Sequence, residues 1–301
     1  MKTTAIAEAL VLHTLRHKGF LAFLVLASVL ILSLTVTTLF GLGRELLFIR
    51  EAGFATLYLA SFLACLLAAT FTAGRDQRRW TAESRARHAA PASLAWGKIL
   101  QANLVGLWTA LALFPVLVAS LALFHGHRGA GLVALVASLA PFALAPLASK
   151  LPLRPFVALA LAPLPGALVS GFLIAALPDA PFIALTALAA VPGVLLASTL
   201  AGASASLLAG PAGAILGLGV FLLGNMRPAF QANGPGAWAA SLLPDLASQN
   251  PALLVTRAEG TGLGTLGGRF LYTALVILAL GLVASGAESL KYSGRWGIDH
   301  R

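Results

Sequence analysis

The sequence predicts an all-α fold, a polytopic transmembrane helical bundle, and three observations support this fold class. The chain has 301 residues, of which 59% are hydrophobic and only 10% charged, whereas a soluble domain usually has about 25% charged residues. Several apolar runs reach the roughly 20 residues that a helix needs to cross the hydrocarbon core. One long basic segment interrupts these runs. Together they predict a single membrane domain over residues 1–301.

The apolar runs predict about eight spans, with both chain termini in the cytoplasm. The spans cover residues 20–41, 53–74, 99–124, 130–149, 155–177, 182–203, 208–226 and 269–288. Prolines interrupt the middle four, so kinked helices or a re-entrant pair both remain open there. Six spans with the same termini would remain if one central hairpin did not cross.

The segment between the second and third spans is the most informative feature. It carries eight charged residues: Arg75, Asp76, Arg78, Arg79, Glu83, Arg85, Arg87 and Lys98. Six of these are basic, and basic loops stay on the cytoplasmic side of a membrane. With this orientation and eight spans, 14 of the 20 Lys and Arg residues lie inside, as the positive-inside rule requires. We expect residues 75–98 to form a cytoplasmic loop, here called the 75–98 loop, and to be the best candidate docking surface.

Two other segments are expected at the membrane interfaces. Ile6, Leu10 and Leu15 recur at helical spacing, so residues 3–17 predict an amphipathic helix on the cytoplasmic interface. The apolar stretch that follows is longer than the core of a signal peptide, which favours a retained first span. Residues 227–268 form a long outer loop, within which Trp238–Leu246 suits a short interfacial helix or a re-entrant turn.

The motifs do not predict a nucleotide site in this chain. Gly262, Gly264 and Gly267 match a GxGxxG pattern, but no strand precedes them. Gly97-Lys98 resembles the end of a phosphate-binding loop, but the upstream glycine is missing and Ile99 replaces the magnesium-binding hydroxyl residue. We therefore expect no bound cofactor, and any ATP must be bound by another subunit.

Catalytic and metal sites are not expected either. The predicted spans hold almost no ionisable groups, which disfavours an ion-coupled carrier and an intramembrane hydrolase. Cys65 stands alone, and His125 with His127 lacks a nearby third ligand. Gly213 and Gly217 have the small-xxx-small spacing of helix packing, within one chain or between two. The net charge of +10 lies beside apolar spans, so it favours anionic lipid over nucleic acid.

The order of these parts resembles the type-2, mostly exporting, permease subunits of ABC transporters. Such subunits have an interface helix, two spans, a basic cytoplasmic loop that ends in Pro and Gly-Lys, and a third span. The counterparts here are the acidic residue Asp76, Thr81 a few positions later, Pro91, and Gly97-Lys98. Leu222–Asn225 and Leu243–Leu246 also resemble the outer segment before the final span of these permeases. The apolar runs around 130–177 exceed the usual six spans by one hairpin.

The resemblance implies a multi-pass protein of the cell (inner) membrane that is not itself an enzyme. The 75–98 loop would dock an ABC-type ATPase, and a second permease copy would complete the transporter. The docking residues implied are Arg75, Asp76, Arg78, Arg79, Trp80, Thr81, Glu83, Arg85, Arg87 and Lys98. Two alternatives stay open, a stand-alone secondary transporter and a membrane scaffold or assembly protein without transport.

Overall fold

The chain folds as a bundle of helices. The computed structural model describes residues 3–37, 45–72, 90–142, 161–208, 210–231, 243–257 and 263–292. Within these ranges every regular element is a helix, so the predicted all-α class is confirmed. The helices are α1 (Thr3–Arg16), α2 (Lys18–Thr37), α3 (Glu45–Thr72), α4 (Pro91–Phe124), α5 (Arg128–Ser138), α6 (Leu164–Ile174), α7 (Ala180–Leu207), α8 (Pro211–Asn225), α9 (Arg227–Gln231), α10 (Leu246–Gln249), α11 (Pro251–Arg257) and α12 (Leu263–Tyr292).

Five of these helices, α2, α3, α4, α7 and α12, are long and apolar enough to cross a membrane. The chain is therefore a membrane protein. The predicted spans 130–149, 155–177 and 208–226 contain shorter apolar helices. Of these, α8 has 15 residues, which cover about 22 Å, less than the roughly 30 Å of a hydrocarbon core. The count of eight crossings and the orientation of the termini stay predictions.

Helix α4 lies at the centre of the bundle. It is 34 residues long and packs against α1, α2, α3, α5, α6, α7 and α12. Pro91 occupies its first turn, where a missing N–H removes no helical hydrogen bond. The shorter α5 and α6 pack against each other and against α4, as expected of a hairpin added to a central bundle. We call the two ends of α4 the Lys98 end and the His125 end.

Two helices begin earlier than the apolar runs indicate. Helix α3 begins at Glu45 rather than at residue 53, and α4 begins at Pro91 rather than at residue 99. Hydropathy marks only the apolar part of a helix, whereas backbone hydrogen bonding continues into the charged turns at its ends. The last eight residues of the 75–98 loop are consequently helical. Its residues 75–89 lie outside the described residues.

The N-terminal helix ends one residue before the predicted bounds of 3–17 and buries the apolar face that the sequence indicates. The buried side chains of α1 include Ile6, Leu10 and Leu15. They pack mainly on α4 and also on α3 and α2, because those helices offer an apolar surface at this end of the bundle. The apolar face of α1 is therefore covered by the protein itself.

Candidate functional site

Four consecutive residues at the start of α4 hold the Lys98 end of the bundle together. The ring of Trp96 lies where a side chain on Gly281 of α12 would be, and a methyl group on Gly97 would approach Ile6 Cγ2 of α1 to 2.5 Å. A methyl group on Gly202 of α7 would meet Ile99 Cα at 2.8 Å. Glycine at these crossings lets the helix backbones approach closely. The Gly-Lys motif thus lies in a tightly packed helix junction.

Lys98 itself makes a buried ion pair across this junction. Its Nζ lies 2.6 Å from Oε1 of Glu288 on α12. The side chain of Glu288 is only 4% exposed and that of Lys98 14%. Lys291 lies one turn beyond Glu288, with its Nζ 3.9 Å from the same carboxylate oxygen, and it donates a hydrogen bond to the backbone oxygen of Ser206 on α7. One carboxylate therefore connects α4 and α12, and the second lysine extends the contact to α7. We call Trp96, Lys98, Glu288 and Lys291 the Lys98 node.

Glu288 is a functional candidate that the sequence analysis missed. It is the final residue of the predicted last span, and the sequence analysis assigned it no role. Two signals pointed to it. Lys291 follows three residues later, at a spacing that places both side chains on one helix face, and Lys98 was predicted at the same side of the membrane. Hydropathy alone cannot show that the two helices are neighbours.

Halfway along the bundle, the segment after α8 penetrates between the long helices. Gly193 is the fourteenth of the 28 residues of α7, and a methyl group placed on it would collide with the backbone oxygen of Gln249. The same methyl group would lie 3.5 Å from the ring of Tyr58, the fourteenth of the 28 residues of α3. Helix α10 therefore contacts α7 at the middle of its length, next to Tyr58 of α3. The interfacial helix or re-entrant turn predicted over Trp238–Leu246 stays a prediction, because residues 232–242 lie outside the described residues.

Helix α8 also ends near this depth. It begins beside the C-terminal end of α7, where a methyl group on Gly213 would collide with the backbone oxygen of Leu208. Near its other end, Phe221 stacks on Phe62 of α3, with ring centroids 3.9 Å apart, and lies 5.5 Å from the ring of Tyr58. At Gly217 a methyl group would lie 3.0 Å from Leu66. The Gly213 and Gly217 positions thus contact α7 and α3 of the same chain.

Polar side chains cluster where α8 and α10 meet. Asn250 donates a hydrogen bond from Nδ2 to Oδ1 of Asn225, at 3.3 Å. The backbone N–H of Asp245 donates to the hydroxyl of Tyr272, at 2.7 Å. Gln249 is only 3% exposed, and its Oε1 accepts no hydrogen bond. Arg227 and Arg269 donate hydrogen bonds to the backbone oxygens of this segment. Polar groups enclosed by apolar helices are costly unless they are paired or hydrated. We call Asn225, Asp245, Gln249 and Asn250 the mid-depth polar cluster, because they lie beside the middle of α7.

Two motifs that the resemblance singled out meet in this cluster. A methyl group on Gly224 would lie 2.8 Å from Leu246 and 2.9 Å from the backbone oxygen of Pro244. Leu222–Asn225 and Leu243–Leu246 are therefore packed together, with a glycine where the two backbones approach most closely.

The His125 end has its own ion pair. Arg50 of α3 pairs with Asp179, the residue that precedes α7, and lies over the ring of Phe182 at 5.6 Å. The pKa of His125, which caps the C-terminus of α4, is lowered first by burial and then by the positive charges of Arg50 and His127, while Asp179 opposes the shift. Arg50 is thus neutralised by a carboxylate 129 positions away in the sequence.

The remaining predicted site residues fall into two groups. Arg75, Asp76, Arg78, Arg79, Trp80, Thr81, Glu83, Arg85 and Arg87 lie outside the described residues. Lys98 is described, and its ammonium group is held by Glu288. Among the described residues no group of three or more His, Cys, Asp or Glu side chains could hold a metal ion.

The chain was also compared with known proteins. Protein-family models, curated proteins and solved structures give no match to it. The functional argument therefore depends on the residues and their geometry.

Proposed function

We propose that this chain is the transmembrane permease subunit of an ABC transporter complex of the type-2, exporter-like class. It moves an unidentified substrate across the cell (inner) membrane with ATP that a separate subunit hydrolyses. The observation that carries the proposal is the mid-depth polar cluster, formed where the 15-residue helix α8 and the short α10 meet beside the long apolar helix α7.

Irregular backbone inside a membrane supports transport for a physical reason. Backbone polar groups at this depth are tolerated only where protein buries them or where they line a wet cavity. Transporters often place discontinuous helices at the bilayer midplane, because the helix ends supply polar groups for a substrate or ion. Helix α8 ends at Asn225, beside Gln249 and Asn250, and so resembles such a half-helix.

The second support is the position of the 75–98 loop. It joins α3 to α4, and α4 packs against seven other described helices. A basic segment carrying Trp80 can place an aromatic ring in a pocket of a partner, while its arginines are attracted to an acidic rim. Force applied there would reach the centre of the bundle. A second copy of the chain would provide the opposite wall of an alternating-access pathway.

Co-purification tests the proposal directly. The tagged chain, extracted in mild detergent, is expected to retain an ATPase with a P-loop. Replacing Arg78, Arg79 and Arg85 with Glu should abolish this retention. The matched control replaces Arg44, Arg128 and Arg257 with Glu, which makes the same change in charge outside the 75–98 loop and should leave retention unchanged. Equal retention by both triple variants, or no ATPase with the wild-type chain, would contradict the proposal.

A secondary transporter is the alternative that one specific observation favours. Glu288 is a buried carboxylate, the kind of group on which proton-coupled carriers depend. It lies at the end of α12 and is ion-paired with Lys98, however, which is typical of a structural pair. Transport that continues in ATP-depleted vesicles and collapses with the proton gradient would favour the carrier. Transport that needs ATP would favour the ABC permease.

A further inference from the structure

We propose that the Lys98 node is the link that transmits movement of the 75–98 loop to α12 and α7, with Glu288 as its positioning residue. This inference rests on the proposed function, because it assumes that the loop is where a partner acts. It extends the proposed function by naming the helices through which the movement passes. The route runs from the start of α4, through the carboxylate of Glu288, to the last turns of α12 and α7.

The helices pack closely around the Lys98 node. Trp96 fills the space beside Gly281, and Gly202 lies against the backbone of Ile99. Packed interfaces of this kind shift between discrete arrangements and do not deform continuously. A displacement of the first turns of α4 must therefore displace α12 and α7 as well, or break these contacts.

The second contribution is electrostatic. The carboxylate of Glu288 is 4% exposed, so water cannot replace Lys98 as its partner unless the helices separate. Leaving one member of a buried ion pair without its partner is strongly unfavourable. The pair therefore resists separation of α4 from α12 under load, which apolar contacts alone would do less well because one apolar neighbour can replace another.

The third contribution is the placement of Lys291. Its contact with the same carboxylate and its hydrogen bond to Ser206 connect α12 with α7 at the same level. Helix α7 continues from this level to Gly193, where it contacts α10. The node is thus connected by one helix to the mid-depth polar cluster. Movement at the loop has a continuous path to the place where we propose that substrate passes.

The test uses the full chain in lipid nanodiscs, with hydrogen exchange read by mass spectrometry. Glu288→Gln should speed exchange about tenfold or more in residues 91–99, 200–207 and 284–292 together, because the three segments open as one unit. The control is Glu8→Gln, the same substitution on α1 outside the node, and should leave all three segments unchanged. Faster exchange confined to 284–292 would overturn the proposal.

An ATPase assay distinguishes a loss of coupling from a loss of folding. With the co-purified ATPase, Glu288→Gln should keep the wild-type amount of ATPase bound, while permease-stimulated ATP hydrolysis falls about tenfold. The charge-swapped Lys98→Glu/Glu288→Lys variant should restore both exchange protection and stimulation, which a variant that simply misfolds would not do. Unchanged stimulation in Glu288→Gln would overturn the proposal. If wild-type chain binds no ATPase, the proposed function fails, and the exchange experiment still decides whether the node acts as one unit.

Discussion

Lys98 and Glu288 are 190 positions apart in the sequence, and their charged groups lie 2.6 Å apart in the structure. The pair joins α4, which begins within the 75–98 loop, to α12, the last described helix of the chain. Around it, glycines at positions 97, 202 and 281 allow the helices to approach closely. This relationship explains why a Gly-Lys sequence begins the third span. Gly97 permits the close contact with α1, and Lys98 balances the charge of Glu288 on α12.

Neutralising Glu288 alone should destabilise the chain more than replacing the whole pair. Glu288→Gln leaves Lys98 buried without a full counter-charge, which costs about 3–5 kcal/mol when an ion pair is truly buried. The double variant Lys98→Met/Glu288→Gln removes both charges and should recover part of that loss. Thermal unfolding midpoints in nanodiscs measure the difference. Strictly additive losses would show that the two side chains do not interact.

Adding one methyl group at Gly193 should displace α10. In Gly193→Ala the new methyl group would collide with the backbone oxygen of Gln249, and a backbone atom cannot rotate away as a side chain can. Overpacking of this kind costs about 1–3 kcal/mol.

Gly219→Ala is the control for this position, since a methyl group there meets nothing within 4 Å. It should be neutral or stabilising by about 0.5–1 kcal/mol, because alanine favours a helix over glycine. Thermal unfolding of both variants checks the prediction, and an equal response would place Gln249 away from α7.

The pair of Arg50 and Asp179 should respond unequally to its two truncations. The side chain of Arg50 is 11% exposed and that of Asp179 42%. Asp179→Ala leaves a guanidinium group largely buried, whereas Arg50→Met leaves a carboxylate that water can reach. We expect the larger drop in unfolding midpoint for Asp179→Ala. A larger drop for Arg50→Met would indicate that the contact of Arg50 with Phe182 outweighs the ion pair.

Stability should fall with acid because of His125. Burial and Arg50 hold the pKa of His125 below the ordinary value of about 6.5 in the folded chain. As the pH falls, His125 is therefore protonated in the unfolded chain at a higher pH than in the folded chain. The contribution is complete above about pH 6.5 and is lost as the pH falls towards the folded pKa. His125→Gln should remove this part of the slope, measured as unfolding midpoint against pH, while His127→Gln should retain most of it. Identical slopes in the wild type and His125→Gln would exclude His125 as the source.

Much of the fold could be predicted from hydropathy, because apolar runs and helices coincide wherever lipid or an apolar neighbouring helix covers the side chains. The predicted runs 99–124 and 182–203 lie within α4 and α7. Their ends were less predictable, since charged turns such as those at Glu45 and Lys98 continue a helix without an apolar signal. The short length of α8 could not be predicted either, because hydropathy does not show how deep a helix begins and ends.

The candidate site was only partly predictable for a related reason. Lys98, Leu222–Asn225 and Leu243–Leu246 were noticed as local motifs. Their partners depend on which helices are neighbours, and one sequence does not contain that information. Glu288, Gln249 and Asp179 acquire a role only when distant helices bring Lys98, Gly193 and Arg50 beside them.

The orientation of the 75–98 loop is the most direct test of the central claim, which is that a cytoplasmic partner acts on this loop. Single cysteines replace Ser84 in the loop and Gly129 beyond the His125 end, and a membrane-impermeant maleimide is applied to intact cells and to inside-out vesicles. Cys65 is buried and should stay unlabelled. The Ser84→Cys variant should react only in inside-out vesicles and the Gly129→Cys variant only in intact cells. Labelling of Ser84→Cys in intact cells would place the loop outside and contradict both the orientation and the proposed docking of an ATPase.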